Sequence, residues 1–125
     1  MSQSMDTGYK SFTCDEALAM HARVKLDSDG RVTTAGLADQ AIGTARNATF
    51  AAGDAVTVKM VSACGTHKMI AVEALAAGAV VYGEAAGKVQ DTAASTSFKC
   101  GIALEAATAD GDVIEVMMVQ GETAN

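Results

Sequence analysis

The chain has no tryptophan and no proline, and only two tyrosines and three phenylalanines among its 125 residues. Half of the residues are nominally hydrophobic but only 4% are aromatic, and much of the apolar count is alanine. Any core must therefore be built from Val, Ile, Leu and Met. Such a core buries little area per residue, so at roughly 25 cal/mol per Å² a lone subunit is expected to be thin in stability and to gain from assembly. Seven methionines are available to fill irregular gaps or line an interface. The length predicts one domain with a single modest core.

Other absences narrow the function. Basic residues are scarce: the net charge is −6 and the sequence pI about 4.7, which argues against a nucleic-acid backbone as partner. No apolar run is long enough for a membrane span, and residues 1–10 lack the pattern of a secretory leader, so synthesis in the cytoplasm is expected. The three cysteines, Cys14, Cys64 and Cys100, are far apart and form no CxxC pair. They read as reduced structural thiols.

Catalytic and cofactor motifs are equally thin. Asp27-Ser28-Asp29-Gly30 begins like a calcium loop, but Ala38 stands at the twelfth position where a glutamate would close it, so a β-turn is the reading. Gly83-Glu84-Ala85-Ala86-Gly87-Lys88-Val89 is one residue short of a phosphate loop and ends in Val where a Ser or Thr would hold magnesium. His21 and His67 have no metal-ligand spacing with each other or with a cysteine. The residues predict no enzyme, no cofactor and no metal.

What the chain does contain is a repeat. Phe98 to Val119 reads as strand, turn and strand, with Ala109-Asp110-Gly111-Asp112 as the turn. Gly43 to Met60 lies over Gly101 to Met118 without a gap: Gly43/Gly101, Ala45/Ala103, Gly53/Gly111, Asp54/Asp112, Val58/Val116 and Met60/Met118 are identical pairs. Upstream, after a one-residue slip, Ala22 to Val32 resembles Ala79 to Val89. Two copies are too few for a solenoid. They predict an all-β fold, a small pseudo-duplicated β-barrel or β-tulip-like sandwich with at most one or two short helices. Gly30, Gly53, Asp54, Gly65, Gly78, Gly87, Gly111 and Asp112 are the expected turn residues. Hairpins are expected across Asp27–Gly30 and, with longer strands, across Cys64-Gly65 between residues 55–63 and 66–74. Residues 1–15 are expected to be an extended arm, with Tyr9 and Phe12 as candidate contacts to a partner or a neighbouring subunit. Residues 16–120 are the β domain and 121–125 a polar tail.

Leu75-Ala76-Ala77-Gly78-Ala79-Val80-Val81-Tyr82, Gly87-Lys88-Val89, Gly101-Ile102-Ala103-Leu104-Glu105-Ala106-Ala107 and Gly111-Asp112-Val113-Ile114-Glu115-Val116, in this order, resemble the head-decoration, or capsid cement, proteins of tailed bacteriophages. The resemblance implies a structural protein on the outside of the mature head, a homotrimer that binds the major capsid protein, with no membrane or nucleic-acid partner. A second reading is a biotinyl- or lipoyl-type carrier domain, because Val58-Lys59-Met60 resembles the modified-lysine setting of those duplicated β folds.

Overall fold

A computed structural model describes residues 7–63 and 65–119. Among these residues ten strands form two five-stranded antiparallel sheets. The first holds β1 (Tyr9–Thr13), β2 (Arg23–Leu26), β3 (Val32–Thr34), β4 (Gly43–Ala45) and β5 (Ala55–Met60). The second holds β6 (His67–Ile70), β7 (Val80–Gly83), β8 (Val89–Gln90), β9 (Lys99–Ala103) and β10 (Val113–Met118). Their spatial orders, β1-β5-β4-β2-β3 and β6-β10-β9-β7-β8, are the same order once each strand is replaced by its repeat mate. Among the described residues the only helical element is a single turn at Ala85–Gly87. The expected all-β duplication is thus present, with a fifth strand in each copy.

The copies agree in register as well as order. Lys10 faces Val58 as His67 faces Val116, and Arg23 faces Thr44 as Val80 faces Ile102. They also agree bond for bond outside the strands. The Ala45 N–H donates to the Ala22 carbonyl and that of Ala103 to Ala79. Leu18 and Thr49 exchange two backbone bonds, as do Leu75 and Ala107. Asp54 Oδ2 accepts from the N–H groups of Phe50 and Ala51, and Asp112 Oδ2 from those of Thr108 and Ala109. These carboxylates tie down the long β4–β5 and β9–β10 loops, an Asx-type use of aspartate.

The turn glycines read from the sequence, Gly30, Gly53, Gly65, Gly78, Gly87 and Gly111, all have positive φ, from +73° at Gly87 to +96° at Gly111. Gly53 and Gly111 occupy equivalent turns at +95° and +96°, a region that costs L-residues roughly 1–2 kcal/mol.

Three expectations are corrected. Core residues separate into two clusters, one per repeat, where one core was expected. Cys14, Leu18, Val24, Val32, Ala45, Val56 and Val58 form the first, and Met69, Leu75, Val81, Val89, Ile114, Val116 and smaller neighbours the second. Each sheet curls around its own inward residues, so small side chains suffice. The expected long hairpin across Cys64-Gly65 does not form: β5 and β6 lie in different sheets, because β5 is already paired on both edges by β1 and β4. Gly65 instead turns the chain from one repeat into the next. Finally, the described part of the expected arm is largely strand. Tyr9–Thr13 is β1, and Cys14 is fully buried. Phe12 packs on the first core cluster, while Tyr9 is 40% exposed. Residues 1–6 and 120–125, including the tail at 121–125, lie outside the described residues.

Neighbouring strands within each sheet, β4 and β5 in one and β9 and β10 in the other, approach too closely at one repeated place for any side chain. A Cβ at Gly43 would meet the Lys59 carbonyl oxygen at 2.1 Å, and one at Gly101 the Met117 carbonyl oxygen at 2.1 Å. Gly43→Ala and Gly101→Ala should each lower stability by about 1–3 kcal/mol through overpacking. Urea unfolding should show this as a lower midpoint at unchanged slope, and a midpoint equal to wild type would contradict it.

Candidate functional site

The two repeats meet along a polar seam, and Arg23 is its centre. The side chain comes from β2, is fully buried, and reaches across to the β7–β8 turn of the second repeat. Nη2 donates to the carbonyls of Glu84 at 2.7 Å, Ala35 at 3.2 Å and Gly36 at 3.2 Å, and Nε donates to Lys88 at 3.1 Å. Gly83 leaves room for the guanidinium, whose Nη1 would be 3.0 Å from a Cβ there. Burial pulls the Arg23 pKa down, while Cys100, Asp39 and Glu84 pull it up. An arginine nonetheless remains charged across the working pH range.

A second tie runs in the opposite direction. His67, at the start of β6 and 2% exposed, brings Nε2 to 3.0 Å from the Met60 carbonyl and 3.3 Å from that of Lys59. We assign the proton to Nε2, since both neighbours are acceptors. Nδ1 is buried with no partner among the described residues, so a second proton there would have nothing to bond. Burial accordingly lowers the His67 pKa, the nearby Lys59 and Arg46 charges act the same way, and the two carbonyls oppose them. Lys59, in mid-β5 and 8% exposed, donates from Nζ to the Thr66 carbonyl.

Beside these ties the seam opens into a cleft of about 500 Å³ lined by Met20, His21, Thr44, Arg46, Lys59, Thr66, Lys68, Glu105 and Glu115. Arg46 lies over the Tyr9 ring, 5.1 Å from its centroid. His21 holds φ at +72°, where its repeat mate is Gly78 at +87°. Its pKa is lowered by burial first, then by Lys68 and Arg46. Within the cleft the Thr66 hydroxyl donates to Glu115 Oε2 at 2.6 Å.

Elsewhere the structure joins residues the sequence kept apart. Asp15 comes beside Asp27 and Asp29, their carboxylates all within 4.8 Å of one another. Asp15 also forms a 3.7 Å ion pair with Arg31. Its pKa is raised, chiefly by a hydrogen bond with Asp27. This is a turn stitched to the chain before β2, consistent with the β-turn reading of Asp27–Gly30. The Gly83–Val89 segment is the β7–β8 turn, and its inner face is filled by Arg23.

Sequence reasoning missed the most exposed aromatic. Phe50, in the β4–β5 loop, is 87% exposed. Its mate in the second repeat is Thr108, whose hydroxyl bonds Asp112 at 2.8 Å. The Phe50 N–H is held by Asp54 at 3.0 Å, so the ring is presented on a fixed turn. The signal was available as an unlike pair, aromatic against hydroxyl, beside the matched Ala51/Ala109, Gly53/Gly111 and Asp54/Asp112.

Two outcomes follow from the seam. Arg23→Ala should cost about 3 kcal/mol or more, because it strands four carbonyls and opens a cavity; a loss under 1 kcal/mol in urea unfolding would contradict the clamp. His67 titrates lower in the folded than in the unfolded chain, so the unfolded state binds more protons below the ordinary histidine range. Stability should therefore be full above about pH 6.5 and fall as pH drops below it. His67→Gln should flatten that slope, and an unchanged pH profile would contradict the assignment.

The fold has known counterparts. The N base of the head fiber gp8.5 of bacteriophage phi29 superposes with a TM-score of 0.71 at 17% identity, over 91% of this chain and 97% of that one, which establishes a shared fold. No curated protein matches the chain. The phage cement protein family matches residues 37–118, from the linker before β4 through β10. The chain therefore belongs to the phage cement protein family.

Proposed function

We propose that the protein decorates the outer surface of a mature phage head, binding the major capsid protein and stabilising contacts between its copies. Membership of the cement family carries this reading. The polar seam and the presented aromatic support it. A cement protein needs a rigid body with anchors, and the Arg23 joint and the turn that presents Phe50 suit those needs. Binding to the assembled shell and not to free capsid subunits stabilises the shell by mass action. The protein acts as a homotrimer, so that several weak contacts are made together and avidity replaces a single strong interface. It works without enzyme activity, cofactor or metal, and its site of action is the virion exterior after synthesis in the host cytoplasm.

Phe50 is the anchor we assign to the capsid. A fully exposed aromatic on a turn fixed by Asp54 is preorganised, so little freedom is lost on docking. Buried aromatics dominate interface energetics. Tyr9 remains a contact candidate from β1, whereas Phe12 belongs to the first core cluster. The carrier reading loses its physical basis at Lys59. A lysine that receives a prosthetic group must stand clear of the body, and Lys59 is 8% exposed with its Nζ held by the Thr66 carbonyl.

Purified protein mixed with undecorated capsids should sediment with them, and Phe50→Ala should weaken that binding about tenfold or more without lowering the unfolding midpoint. Absence of the wild-type chain from the capsid pellet would overturn the function, while equal binding by the variant would overturn only the anchor. Intact mass of protein from its own host should equal the sequence mass; a covalent adduct on Lys59 would revive the carrier reading.

A further inference from the structure

The two repeats pack head to tail, and that packing leaves one end of each repeat's interface unused. Within the chain, the second repeat lays the start of β6 and its β7–β8 turn over the outward row Lys59–Thr44–Arg23 of the first sheet. That row is buried. Its mate in the second sheet is the row Met117–Ile102–Val80. Nothing among the described residues covers it: Met117 is 44% exposed, and Ile102 and Val80 are partly exposed. The covering elements have mates too. The mate of Thr66 is Tyr9, the mate of Gly83 is Leu26, and the mate of the β7–β8 turn is the β2–β3 turn. Tyr9 is 40% and Leu26 50% exposed.

The chemistry of the unused halves is matched. Inside the chain the seam pairs polar with polar: the Lys59 ammonium with the Thr66 carbonyl, and the Arg23 guanidinium with the bare backbone beside Gly83. At the mate positions every one of these side chains is apolar or aromatic: Met117 for Lys59, Ile102 for Thr44, Val80 for Arg23, Tyr9 for Thr66, Leu26 for Gly83. Steric room is matched as well. Gly87 sits so close to Ala22 that a Cβ would lie 2.9 Å from the Ala22 Cβ. The mates of this pair are Gly30 and Ala79, equally small, and Gly30 has nothing within 4 Å of its Cβ position.

We propose that a second copy of this chain fills the vacancy: β1 and the β2–β3 turn of one copy pack on the Met117–Ile102–Val80 row of the next, repeating between subunits the packing the repeats make within one. Leu26 seats on Val80, Tyr9 on Met117, and Gly30 approaches Ala79. Such a contact joins two different surfaces, so it closes into a ring or continues as a filament. A three-membered ring is the closure that the proposed function expects; the contact deepens that reading and rests on it only for the number of subunits.

The test is the solution mass of the full chain, by sedimentation at rising micromolar concentration, for wild type, Leu26→Glu, Met117→Glu and a mixture of the two. Both positions are about half exposed in the isolated chain, so both variants keep the fold; Leu26→Gln and Met117→Gln serve if either fails to. Wild type should assemble, and each variant alone should associate at least tenfold more weakly. The mixture should form dimers and stop there, since a Leu26→Glu chain keeps its row and a Met117→Glu chain keeps its turn. A monomeric wild type, unaffected variants, or a mixture that stays monomeric would each overturn the contact. Capsid sedimentation of the same samples separates the two readings, because a wild-type chain that binds capsids but never self-associates fails only this one.

Discussion

A buried guanidinium holds the two halves of this protein in place. Arg23 has left water completely, a cost of several kcal/mol for a lone charge in a protein interior. Among the described residues no carboxylate neutralises it directly. Four backbone carbonyls from two repeats do so instead, each aimed by the turn that carries it. This makes the relative position of the sheets a matter of hydrogen-bond geometry. An apolar seam of Ala and Val would tolerate sliding; a planar donor with fixed directions does not. His67 and Lys59 add ties from the same strip of chain, so the seam is fixed from both sides.

The duplication explains how so little core suffices. Each repeat folds five short strands around its own cluster of Val, Leu, Ile and Met, and the aspartates Asp54 and Asp112 order the long loops by accepting backbone N–H bonds. Three hydrogen bonds donated to its side chain hold Asp112 as a carboxylate, with the Thr108 N–H first, then its hydroxyl, then the Ala109 N–H, all lowering its pKa. The repeats differ where they face outward. The first sheet turns Arg, Lys and Thr into the seam, and the second turns Val, Met and Ile toward open surface. The loop tips differ too, Phe50 in one and Thr108 in the other. Function in a duplicated fold is found at these unlike pairs, because the like pairs are spent on folding.

The sequence made the fold class readable through the glycine and aspartate positions, since positive φ and close strand approach leave few alternatives at Gly53, Gly111, Gly43 and Gly101. The β2–β3 hairpin was legible from Asp27 to Gly30 for the same reason. The β5–β6 segment misled, because two β-rich runs around a glycine look alike whether they pair with each other or with other partners. Local sequence does not record that β5 already has both edges filled. β1 was hidden because Lys10 to Thr13 shares no residue with its mate, His67 to Ile70; the matched Leu18 and Leu75 just beyond were the clue to its place. The seam was illegible for a different reason. Arg23, Lys59 and His67 are charged or titratable residues of the kind usually found in water, and only tertiary packing buries them.

The most direct measure of the account is a cryo-electron microscopy reconstruction of heads assembled with and without this protein. The account predicts extra density on the outer surface alone, into which the two-sheet body fits with the Phe50 loop against the major capsid protein. Density inside the shell, or a docked body whose Phe50 loop points into solvent, would contradict it.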